Sequence, residues 1–377
     1  MRTITDAGRH PALPMSCEEV RATVGQMLVV GFHGTCADDR GVGELGRQAQ
    51  AGEVGGALFF RHNIRSPEQL RHLLAHMKGW QCPQPFLTFV DQEGGRVQRL
   101  TPAQGFAGCP SAAAVGAGSP DEARAHAAGL AEELRDMGFA VNLAPVVDLM
   151  FENSPAIGAH GRSFGACVPD VVARAGVYLD AHAERRLGTA LKHFPGHGSA
   201  RADTHLLGMA DVSDSHQPGE LEPFRRLIAD GRADLVMTSH LVHRALAPGG
   251  EPVTLSRPAV YGILRDRFGF TGPIISDDLC MGALRGAAGG LEAVIAGACG
   301  AGHDLLVVSS FAAQGPPTAA GGPPTTGDGL CTFATTAVIR GIKAGIVAEA
   351  DLRASAERVR RFKDRFATPM VRAPAAA

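Results

Sequence analysis

The chain has 377 residues, 45% of them hydrophobic and 20% charged, with a formal net charge of −2. That is apolar material enough for one barrel-sized domain of about 250 residues, and the near-neutral balance, with no stretch of Lys and Arg interleaved with aromatics, excludes a nucleic-acid or acidic-membrane partner. Residues 1–17 lack the basic start and apolar core of a secretory signal, no apolar run reaches the roughly 18 residues of a membrane helix, and the eight cysteines contain no C-x-x-C pair, all of which fits a reduced cytoplasm.

Short β-rich runs recur along the chain at 27–32, 56–60, 86–90, 139–143, 189–191, 235–238, 273–275 and 304–308. Each ends at a Gly, Asp or Pro break, and most spacers are long enough for a crossover helix. Eight such units predict a closed parallel (β/α)8 barrel of the TIM type, with a doubly wound open sheet as the rival, because periodicity does not reveal closure. The expected organisation is an N-terminal extension over 1–19 and the barrel over 20–310. A Gly/Pro/Thr-rich stretch over 311–329, too poor in large apolar residues for a core element, is expected as a mobile loop. C-terminal helices over 330–377 complete the chain, one from Cys331 and an Arg-rich one from Glu349 that closes against the barrel's outside, before a frayed alanine-rich tail. A barrel that buries its own core favours a monomer.

Active sites of such barrels lie at the C-terminal ends of the strands, so the polar residues that follow each run are the candidates. After Val90 come Asp91, Glu93, Arg96 and Arg99 around the pair Gly94-Gly95, either a ligand site or a salt-bridged rim. Gly158, Gly161 and Gly165 punctuate a loop with one arginine, Arg162, able to present a fork of donors or to pin the loop. The run at 189–191 leads into Lys192-His193-Phe194-Pro195-Gly196-His197-Gly198, followed by Asp203-Thr204-His205. A turn between Asp203 and His205 would bring carboxylate to imidazole, raising its basicity and fixing its orientation for general acid/base work. At Ser276-Asp277-Asp278, alternation puts Asp277 on the face of Ile275, at the barrel mouth, and leaves Asp278 to cap a helix over 279–285. One nucleophilic carboxylate, one imidazole and several hydrogen-bonding cations suit cleavage of a glycosidic bond through a covalent intermediate. They suit metal-assisted hydrolysis equally, with His193, His197, His205, Asp203 and Asp277 as candidate ligands, although no H-E-x-x-H or H-x-H spacing is present.

Five segments in order, D-Q-E-G-G-R-V-Q-R from Asp91, G-R-S-F-G from Gly161, K-H-F-P-G-H-G from Lys192, D-T-H from Asp203 and S-D-D-L from Ser276, resemble glycoside hydrolase family 3. The nearest likeness is to its single-domain bacterial β-N-acetylglucosaminidases of cell-wall recycling, and it spans residues 20–310. The resemblance implies a TIM barrel, no metal and no organic cofactor, and retaining exo-hydrolysis of terminal β-linked N-acetylglucosamine from muropeptide fragments. It implies Asp277 as nucleophile, His205 as acid/base with Asp203 as its partner, and Asp91, Arg99, Arg162, Lys192 and His193 as holders of the sugar hydroxyls. An imidazole acid/base does not repel an anionic acceptor, so phosphorolysis is the runner-up. A specialised glycosylated metabolite as substrate, and a non-catalytic sugar-binding protein, are further alternatives. The chain departs from the pattern before Arg162, where residues 159–161 lengthen the loop, in the stretch 312–329 and in its extended N-terminus. With two Tyr and one Trp, it offers few platforms for a long glycan, so recognition is expected to centre on one terminal sugar.

Overall fold

Eight strands, β1 (Leu28–Gly31), β2 (Gly56–Phe59), β3 (Leu87–Val90), β4 (Val141–Asn142), β5 (Gly188–Phe194), β6 (Leu235–Thr238), β7 (Ile274–Ser276) and β8 (Leu306–Val308), fall on the eight expected runs. The computed structural model describes residues 13–201, 209–284, 290–309 and 327–367. The pairings between neighbouring strands are parallel and run in the order β7-β6-β5-β4-β3-β2-β1-β8. The two ends of that order meet: Ile275 bridges Leu305, and the Ser276 N–H donates to the Leu305 carbonyl at 3.0 Å. This seam closes the sheet and decides for the barrel over the open alternative.

Helices α1 (Cys17–Met27), α2 (Arg40–Gln50), α3 (Pro67–Lys78), α4 (Ala112–Ala117), α5 (Pro120–Met137), α6 (Val168–Glu184), α7 (Glu222–Ala229), α8 (Leu291–Ala301), α9 (Gly327–Lys343) and α10 (Glu349–Phe366) surround the strands, with a wider helical stretch, Pro258–Arg267, between β6 and β7. Their starts carry local signals. Ser66 accepts from the Gln69 N–H ahead of Pro67, and Ser119 and Glu122 close a reciprocal box ahead of Pro120. The first helix opens at Cys17, inside the expected extension, and α9 at Gly327, inside the expected loop. Residues 310–326 and the tail beyond 367 lie outside the described residues. Among those described, no helix is long and apolar enough to cross a membrane.

Because strand side chains alternate, each strand serves two cores. Val29, Leu58, Leu87, Phe89, Ala190, Met237, Ile275 and Val307 fill the barrel interior, while Val30, Ala57, Val90, Leu191, Val236 and Ile274 face the helices. The interior cluster also takes in Val359, Phe362 and Phe366 of α10. The last helix therefore closes the N-terminal mouth of the barrel instead of lying along its outside, as its arginines suggested. Those arginines anchor it from the flanks: Arg358 to Asp304 at 2.8 Å and Arg365 to Asp234 at 2.9 Å. With its floor plugged, the barrel leaves its C-terminal end as the place for a site.

The plug buries Lys363 at 1% exposure, where its ammonium donates to Gln26 Oε1 at 2.6 Å and to the Gly55 carbonyl at 3.1 Å. Burial pulls its pKa down to about 7. Between that value and the ordinary lysine range near 10.4, the unfolded chain holds a proton that the folded chain lacks, so this group makes stability rise with pH across the window. Thermal melts of the protein and of Lys363→Met at about pH 6 and about pH 9 are expected to show the variant's relative stability greatest at the lower pH and declining at the higher. The acceptors left by the substitution cost the same at both, so a pH-independent difference would show that the amine is not depressed.

Candidate active site

The sequence-predicted site residues that are described all emerge at the C-terminal ends of strands. Asp91 follows β3, Lys192 and His193 lie in the last turn of pleat of β5, Asp277 follows β7, and Arg162 sits in the loop between β4 and α6. Asp203 and His205 fall outside the described residues. Consecutive residues of a regular strand point to opposite faces, yet both Lys192 and His193 reach the same network. The strand is irregular there: the β5–β6 register breaks between Leu191 and Phe194, so simple alternation does not hold.

The network is a chain of charge-assisted bonds. Arg99 Nη2 donates to Asp91 Oδ2 at 3.1 Å, and Lys192 Nζ donates to Asp91 Oδ1 at 2.9 Å and lies 2.6 Å from Glu93 Oε1. Arg162 holds Glu93 in a two-pronged bond, Nε to Oε2 at 2.7 Å and Nη2 to Oε1 at 2.8 Å. Its Nη1 donates to the Ala156 carbonyl at 3.0 Å, and Nη2 lies 3.1 Å from His193 Nε2. Arg162 thus ties its own loop, through the Ala156 carbonyl, to Glu93 after β3 and His193 of β5.

Burial opposes the charges of Asp91, Glu93, Lys192 and Arg162, and their partners outweigh it. Lys192 and Arg99 hold the Asp91 carboxyl below the usual carboxylate range, and Arg162 and Lys192 hold Glu93 well below it. In return, burial pulls Lys192 and Arg162 down while their carboxylates pull harder, so both are raised. His197, by contrast, is pushed down to about 4 by burial and then by His193. The loop that carries the acids depends on glycine. Gly94 has φ +99°, and a Cβ there would lie 2.1 Å from the Pro110 carbonyl oxygen. Gln92 fixes the same loop, accepting from the Arg99 and Leu100 N–H groups at 2.8 and 3.0 Å.

Asp277 continues the face of Ile275, which lies in the interior cluster, and so stands over the barrel mouth, half-buried, two strands from β5. Its Oδ1 accepts from the Asp278 N–H at 2.8 Å. Asp278 does not cap a helix over 279–285. It crosses to the end of β8, accepting from the Ser309 N–H at 3.1 Å, from the Ser309 hydroxyl and from the Cys280 N–H at 3.0 Å, and only a short turn, Gly282–Leu284, follows. Burial raises its pKa to about 6. The two adjacent aspartates have separate roles in the hydrogen bonding: Asp277 accepts from the Asp278 N–H, and Asp278 ties β7 to β8.

Sequence reasoning gave no specific role to Glu93 and missed Asp148. Glu93 was visible in the D-Q-E-G-G-R string but was passed over for Asp91. Asp148 lies inside the apolar run 146–149, fully buried, with its carboxylate on His193 Nδ1 at 2.8 Å and on the His197 N–H at 2.9 Å. A carboxylate embedded among valines and leucine had to find partners, and that was the available signal. Among the described residues no group of three or more His, Cys, Asp or Glu side chains is arranged to hold a metal ion. Both ring nitrogens of His193, one of the weighed ligands, are engaged by Asp148 and Arg162.

Comparison with known proteins places these features in a family context. Residues 19–362 match the model of the glycosyl hydrolase family 3 N-terminal domain. A beta-hexosaminidase of Xylella fastidiosa (strain M23) is 37% identical over 291 residues, covering 75% of this chain and 83% of the relative. One of Stenotrophomonas maltophilia (strain K279a) is 36% identical over 295 residues, with the same coverage of 75% and 83%. Among solved structures, a glycoside hydrolase family 3 beta-N-acetylglucosaminidase from Paenibacillus sp. str. FPU-7 superimposes with a TM-score of 0.79 at 30% identity. That match covers 97% of this chain and 64% of the other, so the chain spans just under two thirds of that longer protein. A beta-N-acetylhexosaminidase from Beutenbergia cavernae DSM 12333 matches at a TM-score of 0.78 and 25% identity, over 92% of this chain and 98% of its own.

Proposed function

The chain belongs to glycosyl hydrolase family 3, and from that premise we propose that it is an exo-acting, retaining β-N-acetylglucosaminidase that removes a terminal β-linked N-acetylglucosamine. The observation that carries this reading is the line of charges from the partly buried Arg99 and Asp91 through the buried Lys192 and Glu93 to Arg162, gathered at the end of a barrel whose other mouth is plugged. Fixed donors and acceptors of this kind are what a polyhydroxylated ring needs, and they are held in place before the sugar arrives. Relatives named beta-hexosaminidase and beta-N-acetylglucosaminidase support the same assignment.

In the proposed reaction a carboxylate oxygen of Asp277 attacks the anomeric carbon while the bond to the leaving oxygen breaks, and His205, steadied by Asp203, gives that oxygen a proton. His205 then takes a proton from water as the water's oxygen displaces the aspartyl ester, which returns Asp277 to its anionic form and keeps the β configuration. Asp91, Arg99, Arg162, Lys192 and His193 hold the ring hydroxyls. We further assign the substrate to muropeptide fragments of cell-wall recycling, the compartment to the cytoplasm and the working unit to a monomer.

A chromogenic aryl β-N-acetylglucosaminide is expected to be hydrolysed, with the β anomer appearing first by NMR. No turnover, or the α anomer first, removes the proposal. Running the same reaction in phosphate and in a phosphate-free buffer reports the acceptor: a sugar 1-phosphate formed in phosphate would make the protein a phosphorylase with the same nucleophile.

A further inference from the structure

Asp148 belongs to no strand and touches no position that the resemblance assigns to the sugar except His193. Its carboxylate, fully buried, gathers three N–H groups from the end of β5 and the turn after it: the His193 N–H at 3.1 and 3.2 Å, His193 Nδ1 at 2.8 Å and the His197 N–H at 2.9 Å. Burial opposes its ionisation, but His193 and the His197 N–H hold the carboxyl below the usual range, so it is an acceptor only. The proton between Nδ1 and Asp148 therefore sits on Nδ1. On the other edge of the ring, Arg162 Nη2 stands 3.1 Å from Nε2 and has nothing but hydrogens to offer. Nε2 must present its lone pair. Two neighbours on opposite edges select the same tautomer independently.

We propose that Asp148 is a positioning residue of the sugar pocket: it holds His193 as the Nδ1–H tautomer, so that Nε2 accepts a hydrogen bond from a sugar hydroxyl while Arg162 donates one to the same oxygen. The inference rests on the glycosidase reading for its ligand, a hydroxyl, but not for the tautomer. Nε2 and Nη2 are bonded directly at 3.1 Å in the free protein, so the hydroxyl displaces that bond, giving its proton to Nε2 and taking the hydrogen that Nη2 had offered the ring. The pair already offers one acceptor and one donor, so neither nitrogen gains or loses a proton when the sugar binds. With the opposite tautomer, two donors would face each other, and the hydroxyl could satisfy only one. Selection between a hydroxyl and groups that only accept would follow from this pairing.

Asp148→Asn is the discriminating variant. Its Oδ1 can still receive a backbone N–H, but its amide donates to Nδ1 and drives the ring proton to Nε2, against Arg162. Long-range ¹⁵N–¹H spectra of histidine-labelled protein, with His193→Gln used to identify the cross-peaks, are expected to show Nδ1 protonated in the wild type and Nε2 protonated in Asp148→Asn. For an aryl β-N-acetylglucosaminide, kcat/KM of the variant is expected to fall about 10- to 100-fold, the loss typical of removing the orienting partner of a functional histidine. Asp148→Glu, which restores the carboxylate, is expected to recover part of it. A wild-type spectrum with the proton on Nε2 overturns the assignment even if Asp148→Asn does not fold, as does a folded variant with unchanged kcat/KM. If the wild type turns over no β-glycoside while its spectrum shows Nδ1–H, the glycosidase reading fails and the tautomer stands.

Discussion

Asp277→Asn is expected to lower kcat on an aryl β-N-acetylglucosaminide by at least about 10⁴-fold while leaving the melting temperature close to that of the wild type. The size follows from what the amide lacks. It has no negative charge to meet the cationic character that develops at the anomeric carbon, and its oxygen is too weak a nucleophile to form the glycosyl intermediate. The fold should tolerate the change, since the side chain is half-buried at a strand exit and an Asn Oδ1 can still accept from the Asp278 N–H. Asp278→Asn is the internal control. That side chain ties β7 to Ser309 after β8, so its loss should appear in stability first. Incubation of the wild type with a fluorinated N-acetylglucosamine donor, followed by peptide mass mapping, should place the label at Asp277. Near-wild-type turnover in Asp277→Asn, or label on another carboxylate, would falsify the nucleophile assignment.

The barrel was legible because its strands are apolar on both faces and separated by clear breaks, and all eight runs are strands. Closure was not, since it depends on the meeting of Ile275 with Leu305, two residues with nothing in their types to distinguish a seam from an edge. The role of α10 was misread for a related reason. Its arginines are conspicuous in sequence, while Val359, Phe362 and Phe366, spaced to one face, are what place it in the barrel mouth. At the site, the motif residues Asp91, Arg99, Arg162, Lys192 and His193 come together as one network. Glu93 and Asp148 went unassigned because their partners lie 69 and 45 residues away along the chain, and spacing arguments see only near neighbours. Alternation correctly separated Asp277 from Asp278, but it could not say that the second would reach across to β8.

Glu93→Gln is expected to cost about 3–5 kcal/mol of stability near neutral pH, the range for removing one partner from a buried ion cluster, and to lower kcat/KM as well. Three carboxylates, Asp91, Glu93 and Asp148, face the three cations Arg99, Lys192 and Arg162 in this part of the molecule. Glu93 is the member shared by the two most buried cations, so its loss leaves Lys192 and Arg162 under-compensated together. The pH dependence gives the sign. With its folded pKa depressed, Glu93 contributes stability that is fully present above the unfolded value near 4.3 and is lost as pH falls toward the folded one. The gap between wild type and Glu93→Gln in urea melts should therefore be widest near neutral pH and narrow below about pH 4; a gap that stays constant would mean that Glu93 is not ionised in the folded protein. Replacing a buried ion cluster by well-packed apolar residues is often neutral or stabilising. That the chain keeps six charges here, at the open end of the barrel and away from the apolar plug at the other, is intelligible if they are retained to grip a hydroxylated ring rather than to hold the fold.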